Sequence, residues 1–289
     1  MDIVTLRVFL TAAEVGSFSI AAEQNYLTQP AVSKRIAALE RELGMRLFDR
    51  IGRRIHLTEA GQALLSRART ILAEVEDAKR SVMNLSGRLG NTLSMATSHH
   101  VGLHRLPAAL KAFHARYPSV TLELHFLGSE SACEAVAQGK LELAAVTLPR
   151  RAPAELEATE MWSDPLALVA APSHPLATAK KTDAAALLAY PAILPGPGTV
   201  TRELIMSAFG KKRGDIAVGM ETNYLEVLKM LTSIGFGWSA LPQTMIDDEL
   251  KVVHIVGINI RRKLGIVTHA RRSLSNAARA MIQTIKETR

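Results

Sequence analysis

The sequence has little cysteine and no long hydrophobic run, and both absences narrow the class of protein. Among its 289 residues there is one cysteine, Cys133, so the chain can form no internal disulfide and no cysteine-rich metal site. No uncharged apolar run approaches the roughly 18 residues that span a bilayer. Residues 1–7 also lack the basic segment and apolar stretch of a signal peptide. We therefore expect a cytoplasmic protein rather than a secreted or membrane protein.

Aromatic residues are also scarce, at 4% of the chain, whereas hydrophobic residues make up 48%. The cores must therefore be aliphatic, and a chain of this length is expected to form two or three domains. There are 35 lysines and arginines against 27 acidic residues, which gives a net charge of +8. This charge favours an anionic partner such as a nucleic acid, an anionic lipid or a small anion.

The first 43 residues carry three helical patterns. Apolar residues recur at helical spacing from 3 to 15, and a second short helix is predicted from Ser19 to Tyr26. Thr28 is a suitable N-cap for a third helix, which a glycine ends at position 44. The predicted apolar stripe of this third helix consists of Val32, Ile36, Leu39 and Leu43.

The polar side of the third helix is a candidate DNA-contacting face. Gln29, Ser33 and Lys34 lie away from the apolar stripe, where they can reach base edges or phosphates. Residues 47–57 predict a two-stranded wing that turns at Gly52, with arginines near its tip that can neutralise phosphates or enter a minor groove. A basic helix face alone is often merely solvated. Here the apolar stripe and the arginine-rich hairpin together favour a winged helix-turn-helix that binds DNA.

A longer helix is predicted from 58 to 86, with Thr58 as its N-cap. It would be roughly 40 Å long at about 1.5 Å per residue. Its apolar residues alternate spacings of four and three, which is typical of a coiled-coil seam. The seam consists of Leu64, Ala68, Ile71, Val75, Ala78, Val82 and Leu85. A core-packing helix is the alternative, but the narrow seam with polar flanks favours dimerisation, and residues 86–90 are expected to form a hinge.

A long ungapped pattern between residues 9 and 61 is similar to that of a known family. It consists of Phe9, Ser17-Phe18, Ala21-Ala22, residues 27–33, Ile36, Leu39-Glu40, Leu43-Gly44, Leu47-Phe48, Arg50, Arg53 and residues 57–61. On these residues the chain resembles the LysR-type transcriptional regulators. Asn25 departs from the pattern, because the family usually has an apolar residue there, and Glu142 stands where aspartate is commoner.

The resemblance implies a winged helix-turn-helix at 1–58, a dimerising linker helix and hinge at 59–90, and an effector-binding domain at 91–289. The effector domain would be an α/β fold of two lobes, like a periplasmic binding protein, with lobe I at about 91–162 and 268–289 and lobe II at about 163–267. It also implies a bacterial regulator that binds double-stranded promoter DNA as a homodimer or homotetramer, with a small-molecule effector and RNA polymerase as further partners. The residues and the resemblance together predict DNA contacts at Gln29, Pro30, Ser33, Lys34, Arg50, Arg53 and Arg54, although Arg50 could equally brace the wing.

Residues 91–289 alternate strand and helix patterns. Strands are predicted at 92–97, 120–126, 141–147, 166–170, 236–241, 252–256 and 264–268. Helices are predicted at 102–116, 131–138, 183–189, 200–209, 224–234 and 274–286. This alternation favours a parallel-rich α/β sheet, which binds ligands beyond the carboxyl ends of its strands. The resemblance implies two crossovers between the lobes, near 162–164 and 266–269.

Polar residues at strand ends and helix starts predict an effector cleft between the lobes. They are Ser98, His99, His100, Ser129, Thr147, Gly196, Thr199 and Asn223. Serine, threonine and asparagine at such positions are often ordinary helix caps, but their convergence on one cleft favours a pocket. The free N–H groups at the helix start and the His99-His100 pair favour an anionic metabolite such as an organic acid.

Other interpretations are weaker. The sequence has no nucleophile elbow, P-loop or dinucleotide fingerprint, so we expect no enzyme and no cofactor. His100 and His104 have the i, i+4 spacing of zinc ligands, but the sequence indicates no third ligand beside them, and we expect no metal. Basic residues at 261–263 and 271–272 could touch DNA, although a solvated surface or a subunit interface is commoner. A small-molecule carrier and an effector-independent repressor remain as alternatives.

Overall fold

The computed structural model describes residues 1–51, 54–85, 87, 89, 92–179 and 183–289, and of residues 50 and 51 only the backbone. The chain divides into two compact units. The first unit holds residues 1–86 with 138–140, and the second holds 87–137 with 141–289. None of the described helices is long and apolar enough to cross a membrane.

The first unit contains three helices, a two-stranded hairpin and a long helix, in chain order and within the described residues. They are α1 (Ile3–Val15), α2 (Phe18–Gln24), α3 (Gln29–Leu43), β1 (Phe48–Ile51), β2 (Arg54–Leu57) and α4 (Glu59–Leu85). Asp2 begins α1 by accepting a hydrogen bond from the Thr5 amide at 2.7 Å, and Gly16, with φ +66°, ends it. The predicted wing tip at Gly52 and Arg53 and the hinge positions 86, 88 and 90 lie outside the described residues.

The core of this unit joins the three helices to the hairpin. Phe48 of β1 packs against Phe9 and Phe18, with both ring centroids 5.4 Å away. The Glu40 side chain accepts hydrogen bonds from the Leu47 and Phe48 amides at 2.7 and 3.3 Å, which ties α3 to the wing. In the predicted stripe of α3, Val32, Ile36 and Leu39 are buried. Leu43 is 42% exposed, so the prediction was wrong there, since Leu43 is the last residue of the helix.

The second unit alternates strands and helices. The strands are β3 (Thr92–Thr97), β4 (Thr121–Phe126), β5 (Leu143–Thr147), β6 (Leu156–Ala170), β7 (Ala192–Leu194), β8 (Val218–Glu221), β9 (Ser239–Pro242), β10 (Lys251–Val252) and β11 (Ile260–His269). The helices are α5 (His99–His104), α6 (Pro107–Arg116), α7 (Ser129–Ala137), α8 (Pro175–Thr178), α9 (Ala184–Leu188), α10 (Val200–Ala208), α11 (Leu225–Ser233) and α12 (Asn276–Thr288).

Among the described residues, one sheet of seven strands runs through this unit in the order β10-β6-β11-β5-β3-β4, with β9 also paired to β6. Strands β3, β4 and β5 are parallel, and β6 and β11 are antiparallel and long enough to enter both lobes. Apolar residues alternate between the two faces of the sheet. In lobe I, the successive residues Met95 and Ala96 pack into two separate hydrophobic clusters, one on each face of the sheet. In lobe II, the successive residues Leu168 and Val169 do the same. Each lobe therefore has helices on both faces of its sheet.

Several predicted elements differ from those observed. The helix predicted at 102–116 is two helices, because Pro107 lacks an amide hydrogen and begins a new one. The strand predicted at 166–170 is the end of the longer β6, and β8 was not predicted. Ser163, in the first expected crossover between the lobes, pairs with Lys263 of β11. The second crossover between the lobes therefore lies a few residues before the range 266–269 that the resemblance implied. The strand segment 264–268 already pairs with β5 of lobe I.

Candidate effector cleft and DNA-binding surface

A cleft of about 360 Å³ lies between the two lobes of the second unit. Seven of the eight predicted effector residues line it: Ser98, His99, His100, Ser129, Thr147, Thr199 and Asn223. The eighth, Gly196, is not among the lining residues. The amide of Gly196 donates to Asn223 Oδ1 at 2.9 Å and its carbonyl accepts from Thr199 Oγ1 at 2.9 Å, so it holds two lining residues in place.

Strand ends position the lobe I side of the cleft. Ser98 follows β3, and its amide donates to the Ala145 carbonyl of the neighbouring strand at 3.1 Å. Thr147 is the last residue of β5, and its amide donates to Ser129 Oγ at 3.1 Å. The hydroxyl groups therefore converge at the carboxyl edge of parallel strands, which is where α/β sheets bind ligands.

Thr199 caps a helix on the lobe II side of the cleft. Its hydroxyl accepts from the Arg202 amide at 3.3 Å at the start of α10, so the capping interpretation of this residue also holds. Other lining residues were missed by the sequence interpretation. They are Phe126, Leu127, Gly128, Glu130, Pro195, Thr201, Tyr224, Leu225 and Arg262.

Arg262 is the most informative of the missed residues. It lines the cleft but is only 3% exposed, so the prediction of a solvated surface or subunit interface is wrong for this arginine. Its Nε and Nη2 donate to Asp164 Oδ2 at 2.9 and 2.5 Å, and its Nη1 donates to Thr201 Oγ1 at 3.2 Å. Asp164 is fully buried, and its other oxygen lies 3.4 Å from Nη2 of Arg105. One buried carboxylate thus holds two arginines beside the cleft.

Burial controls the ionisation of the groups beside the cleft. Desolvation lowers the pKa of Arg262, and the adjacent Asp164 carboxylate opposes that shift. Desolvation, with a smaller contribution from the positive charge of Arg262, lowers the pKa of His100 to about 4. His100 is therefore neutral at pH 7, and the positive charge beside the cleft comes from Arg262.

Three side-chain contacts bridge the two lobes. Glu130 Oε1 of α7 accepts from the Val200 amide at the start of α10, at 2.9 Å. His104 Nε2 of α5 lies 3.1 Å from Glu226 Oε1 of α11. Arg150 donates to Ser207 Oγ at 3.1 Å. Any change in the angle between the lobes has to alter these contacts.

Within the first unit, the polar face of α3 is accessible. Gln29, Pro30 and Lys34 are exposed and Ser33 is half-buried, and Gln29 Nε2 donates to Ser33 Oγ at 2.9 Å. Arg54 is exposed at the start of β2. The side chain of Arg50, and Arg53 as a whole, lie outside the described residues.

Asn25, the departure from the family pattern, ends α2. It is half-buried, and its Nδ2 donates to the Ala21 carbonyl at 2.8 Å. Its side chain therefore satisfies the end of the helix instead of packing into the core.

The long helix α4 shows two kinds of surface along the predicted seam. Its N-terminal part, including Ala68, is buried against the helix-turn-helix core, with Leu64 and Ile71 partly buried there. Towards the C-terminus the seam residues Ala78, Val82 and Leu85 are exposed, Val82 by 69% and Leu85 by 87%. Half of the seam therefore serves the core of its own chain, and the other half is accessible.

Family comparisons agree with this architecture. The LysR substrate binding domain matches residues 86–289, and the bacterial regulatory helix-turn-helix protein of the lysR family matches residues 3–62. The chain therefore belongs to the LysR family of transcriptional regulators, and it is a DNA-binding regulator rather than an enzyme.

The relatives differ in how much of the chain they cover. A probable RuBisCO transcriptional regulator of Cyanophora paradoxa is 33% identical over 290 residues, covering 97% of this chain and 90% of the relative. An uncharacterized HTH-type transcriptional regulator from an ibpB-leuC intergenic region of Azotobacter vinelandii is 60% identical over 107 residues, covering 37% of this chain and 74% of the relative.

Solved structures share the fold. A full-length OxyR variant from Pseudomonas aeruginosa has a TM-score of 0.72 at 20% identity, covering all of this chain and 94% of the other. CbnR, in a complex with its target DNA, has a TM-score of 0.66 at 22% identity, covering all of both chains. At these identities the likeness concerns the fold alone.

Proposed function

We propose that the chain is a cytoplasmic regulator that binds promoter DNA through residues 1–58 and responds to a small anionic metabolite in the cleft of residues 91–289. The linker and hinge at 59–90 would join the two, and RNA polymerase would be the downstream partner. The observation that carries the anionic part of the proposal is Arg262, a buried cation at the cleft. Serine and threonine hydroxyls, which can donate hydrogen bonds to an anion, line the same cleft.

The charge balance around Arg262 supports an anion. Asp164 carries one negative charge against the two positive charges of Arg105 and Arg262, so the cluster has a net charge of +1. A guanidinium has five N–H donors, and three of those of Arg262 are used by Asp164 and Thr201. Within the described ranges, two donors are left for a carboxylate or a similar anion, for which arginine is the favoured partner.

A thermal-shift screen of the full chain against organic acids, amino acids and inorganic anions tests this proposal. A ligand at 100 times its Kd stabilises the protein that it binds by about 2.7 kcal/mol. For a unit of this size, that free energy raises the Tm by about 5–11 °C. The protein should also change its affinity for promoter DNA when the same ligand is added.

Ser98→Ala and Ser131→Ala form a matched pair for this screen. Ser98 lines the cleft, whereas Ser131 is exposed on α7 and does not line it. We expect Ser98→Ala to reduce the thermal shift and Ser131→Ala to leave it unchanged, with DNA binding preserved in both. If no anion shifts the folded protein, the effector-independent repressor becomes the better interpretation.

We further propose that the exposed half of the α4 seam forms a homodimer with a second copy of the chain, and that two dimers form a tetramer. Val82 and Leu85 would pack against the partner helix, which would remove their apolar surfaces from water. In sedimentation experiments, Val82→Glu should shift the protein towards monomers. Met83→Glu is the control, because Met83 is 60% exposed but lies off the seam. Equal effects of the two substitutions would argue against the seam.

A further inference from the structure

Three potential metal ligands meet where the two lobes approach each other. His100 and His104 lie one turn apart on α5 of lobe I, and Glu226 lies on α11 of lobe II. One ligand atom from each residue lies within 4.8 Å of the other two. The His104 Nε2 to Glu226 Oε1 distance is 3.1 Å, and the two imidazole ring centroids are 4.8 Å apart.

The hydrogen bonding of this cluster is incomplete. His100 is 6% exposed, and neither its Nδ1 nor its Nε2 has a hydrogen-bond partner among the described residues. The second carboxylate oxygen of Glu226, Oε2, is also buried, and the part of the chain that the structure describes gives it no partner. Buried polar atoms are nearly always satisfied, because leaving one unpaired costs about 1–3 kcal/mol. Two residues of one cluster with unpaired buried atoms therefore point to a ligand that both would bind.

We propose that His100, His104 and Glu226 bind a divalent transition-metal cation, with Zn²⁺ as the reference ion. Two imidazoles and one carboxylate are an established ligand set for zinc, and three protein ligands leave a fourth position for water. Ligands about 2.0–2.1 Å from a tetrahedral zinc lie about 3.3 Å apart. The His104–Glu226 pair already has this separation, and the widest pair has to close by at most about 1.5 Å.

The proposed ion would join the two lobes. Two of its ligands come from α5 and the third from α11, and His100 also lines the effector cleft. A bound cation would replace the single His104–Glu226 contact by three metal–ligand bonds across the lobe interface. The inference is independent of the effector, because metal binding is measurable without one.

The sequence alone did not predict this site. The i, i+4 histidines were recognised, but the carboxylate that completes the set is 122 residues away from His104 and belongs to the other lobe. Only the packing of α11 beside α5 brings Glu226 to the histidines.

Isothermal titration of the metal-free full chain with Zn²⁺ in a non-chelating buffer tests the proposal. Two of the ligands are accessible and can be replaced without opening the core. Glu226→Gln retains the size and the hydrogen-bonding capacity of the side chain, and His104→Ala removes an exposed ring. His114→Ala is the matched control, since His114 is an exposed histidine on α6 outside the cluster.

We expect the highest-affinity site to bind one Zn²⁺ per chain. His104→Ala and Glu226→Gln should each weaken it by at least about 100-fold, because even residues behind the ligands change metal affinity by about 10–100-fold. His114→Ala should leave it unchanged. Co²⁺ in place of Zn²⁺ should give visible absorption bands of a low-coordinate centre, which the two ligand variants lose. The proposal is overturned if the wild-type chain binds Zn²⁺ no more tightly than these variants. That outcome would leave the anion screen unaffected.

Discussion

Replacing Asp164 by asparagine tests the buried ion pair beside the effector cleft. The Asp164 side chain is completely buried and Arg262 is 3% exposed, and they share hydrogen bonds of 2.9 and 2.5 Å. Asparagine has nearly the same size as aspartate but carries no charge. In the variant, the guanidinium of Arg262 therefore stays buried without its counter-charge.

The size of the expected loss of stability follows from the burial of both Asp164 and Arg262. Removing one partner of a buried pair typically costs about 3–5 kcal/mol, because the other charge is left uncompensated. The contact with Arg105, whose side chain is 23% exposed, adds at most about 1 kcal/mol. We therefore expect the free energy of unfolding of the second unit to fall by about 3–5 kcal/mol. This loss corresponds to a Tm about 6–20 °C lower for a unit of this size.

Tryptophan fluorescence of the full chain reports on the unfolding of the second unit, where the loss of stability is expected. Both tryptophans of the sequence, Trp162 and Trp238, belong to the second unit. Glu160→Gln is the matched control on the same pair of strands. Its carboxylate lies 2.7 Å from Lys263 Nζ, but the two side chains are 41% and 67% exposed. An exposed pair contributes less than about 1 kcal/mol.

A double variant separates charge burial from lost packing. Asp164→Leu combined with Arg262→Met removes both charges and keeps apolar volume at both positions. It should recover most of the stability that Asp164→Asn loses, because replacing a whole buried pair is often close to neutral. The reasoning fails if Asp164→Asn costs no more than Glu160→Gln, or if the double variant is as unstable as the single one.

Three further predictions concern other parts of the chain. A Cβ added at Gly61 would lie 2.1 Å from the Leu47 carbonyl oxygen. Because overpacking costs about 1–3 kcal/mol, Gly61→Ala should lower the free energy of unfolding of the first unit by about that amount, which unfolding followed by circular dichroism measures. In fluorescence-anisotropy titrations, Lys34→Ala should reduce the slope of the logarithm of the DNA-binding constant against the logarithm of the salt concentration by about 1 per chain. Gln29→Ala should relax base preference and leave that slope unchanged. The reverse result would exchange the roles of the two residues. Burial raises the pKa of the Cys133 thiol to about 11, so its alkylation at pH 8 should be about 100-fold slower than in the unfolded chain and should accelerate as the pH rises. Equal rates in the folded and unfolded chain would show that Cys133 is not protected.

Local patterns predicted most of the fold. The helices of the first unit follow from apolar periodicity, with glycines ending α1 and α3, although the predicted N-cap Thr28 makes no side-chain capping hydrogen bond. Strand β3 has the predicted bounds 92–97. Errors arose where one residue overrides a pattern, as Pro107 does when it divides the helix predicted at 102–116. They also arose where a strand crosses between environments. In β6 only the apolar segment from 166 was recognised, because the segment 157–160 is exposed and carries no alternation of apolar residues.

In the cleft, too, local sequence patterns predicted some lining residues, whereas pairings between distant residues determined others. The positions of Ser98 and Thr147 follow from the rule that parallel strands present their carboxyl ends at one edge. Arg262 could not be predicted, because it lies in a run of three basic residues that is typical of a surface. Its buried partner Asp164 is 98 residues away in the sequence. Pairings of this kind depend on strand register, which local patterns do not specify.

The two lobes are connected by paired strands rather than by loops, and this determines how they can move. The antiparallel ladder of β6 and β11 runs from one lobe into the other and is irregular between Leu264 and Gly265. A loop would let the lobes rotate relative to each other with little resistance, whereas a hydrogen-bonded pair of strands resists twisting. At Gly265 the backbones approach so closely that a Cβ would lie 2.1 Å from the Thr159 carbonyl oxygen. Any change in the angle between the lobes therefore has to twist this pair of strands, with its close backbone contact at Gly265, rather than a loop.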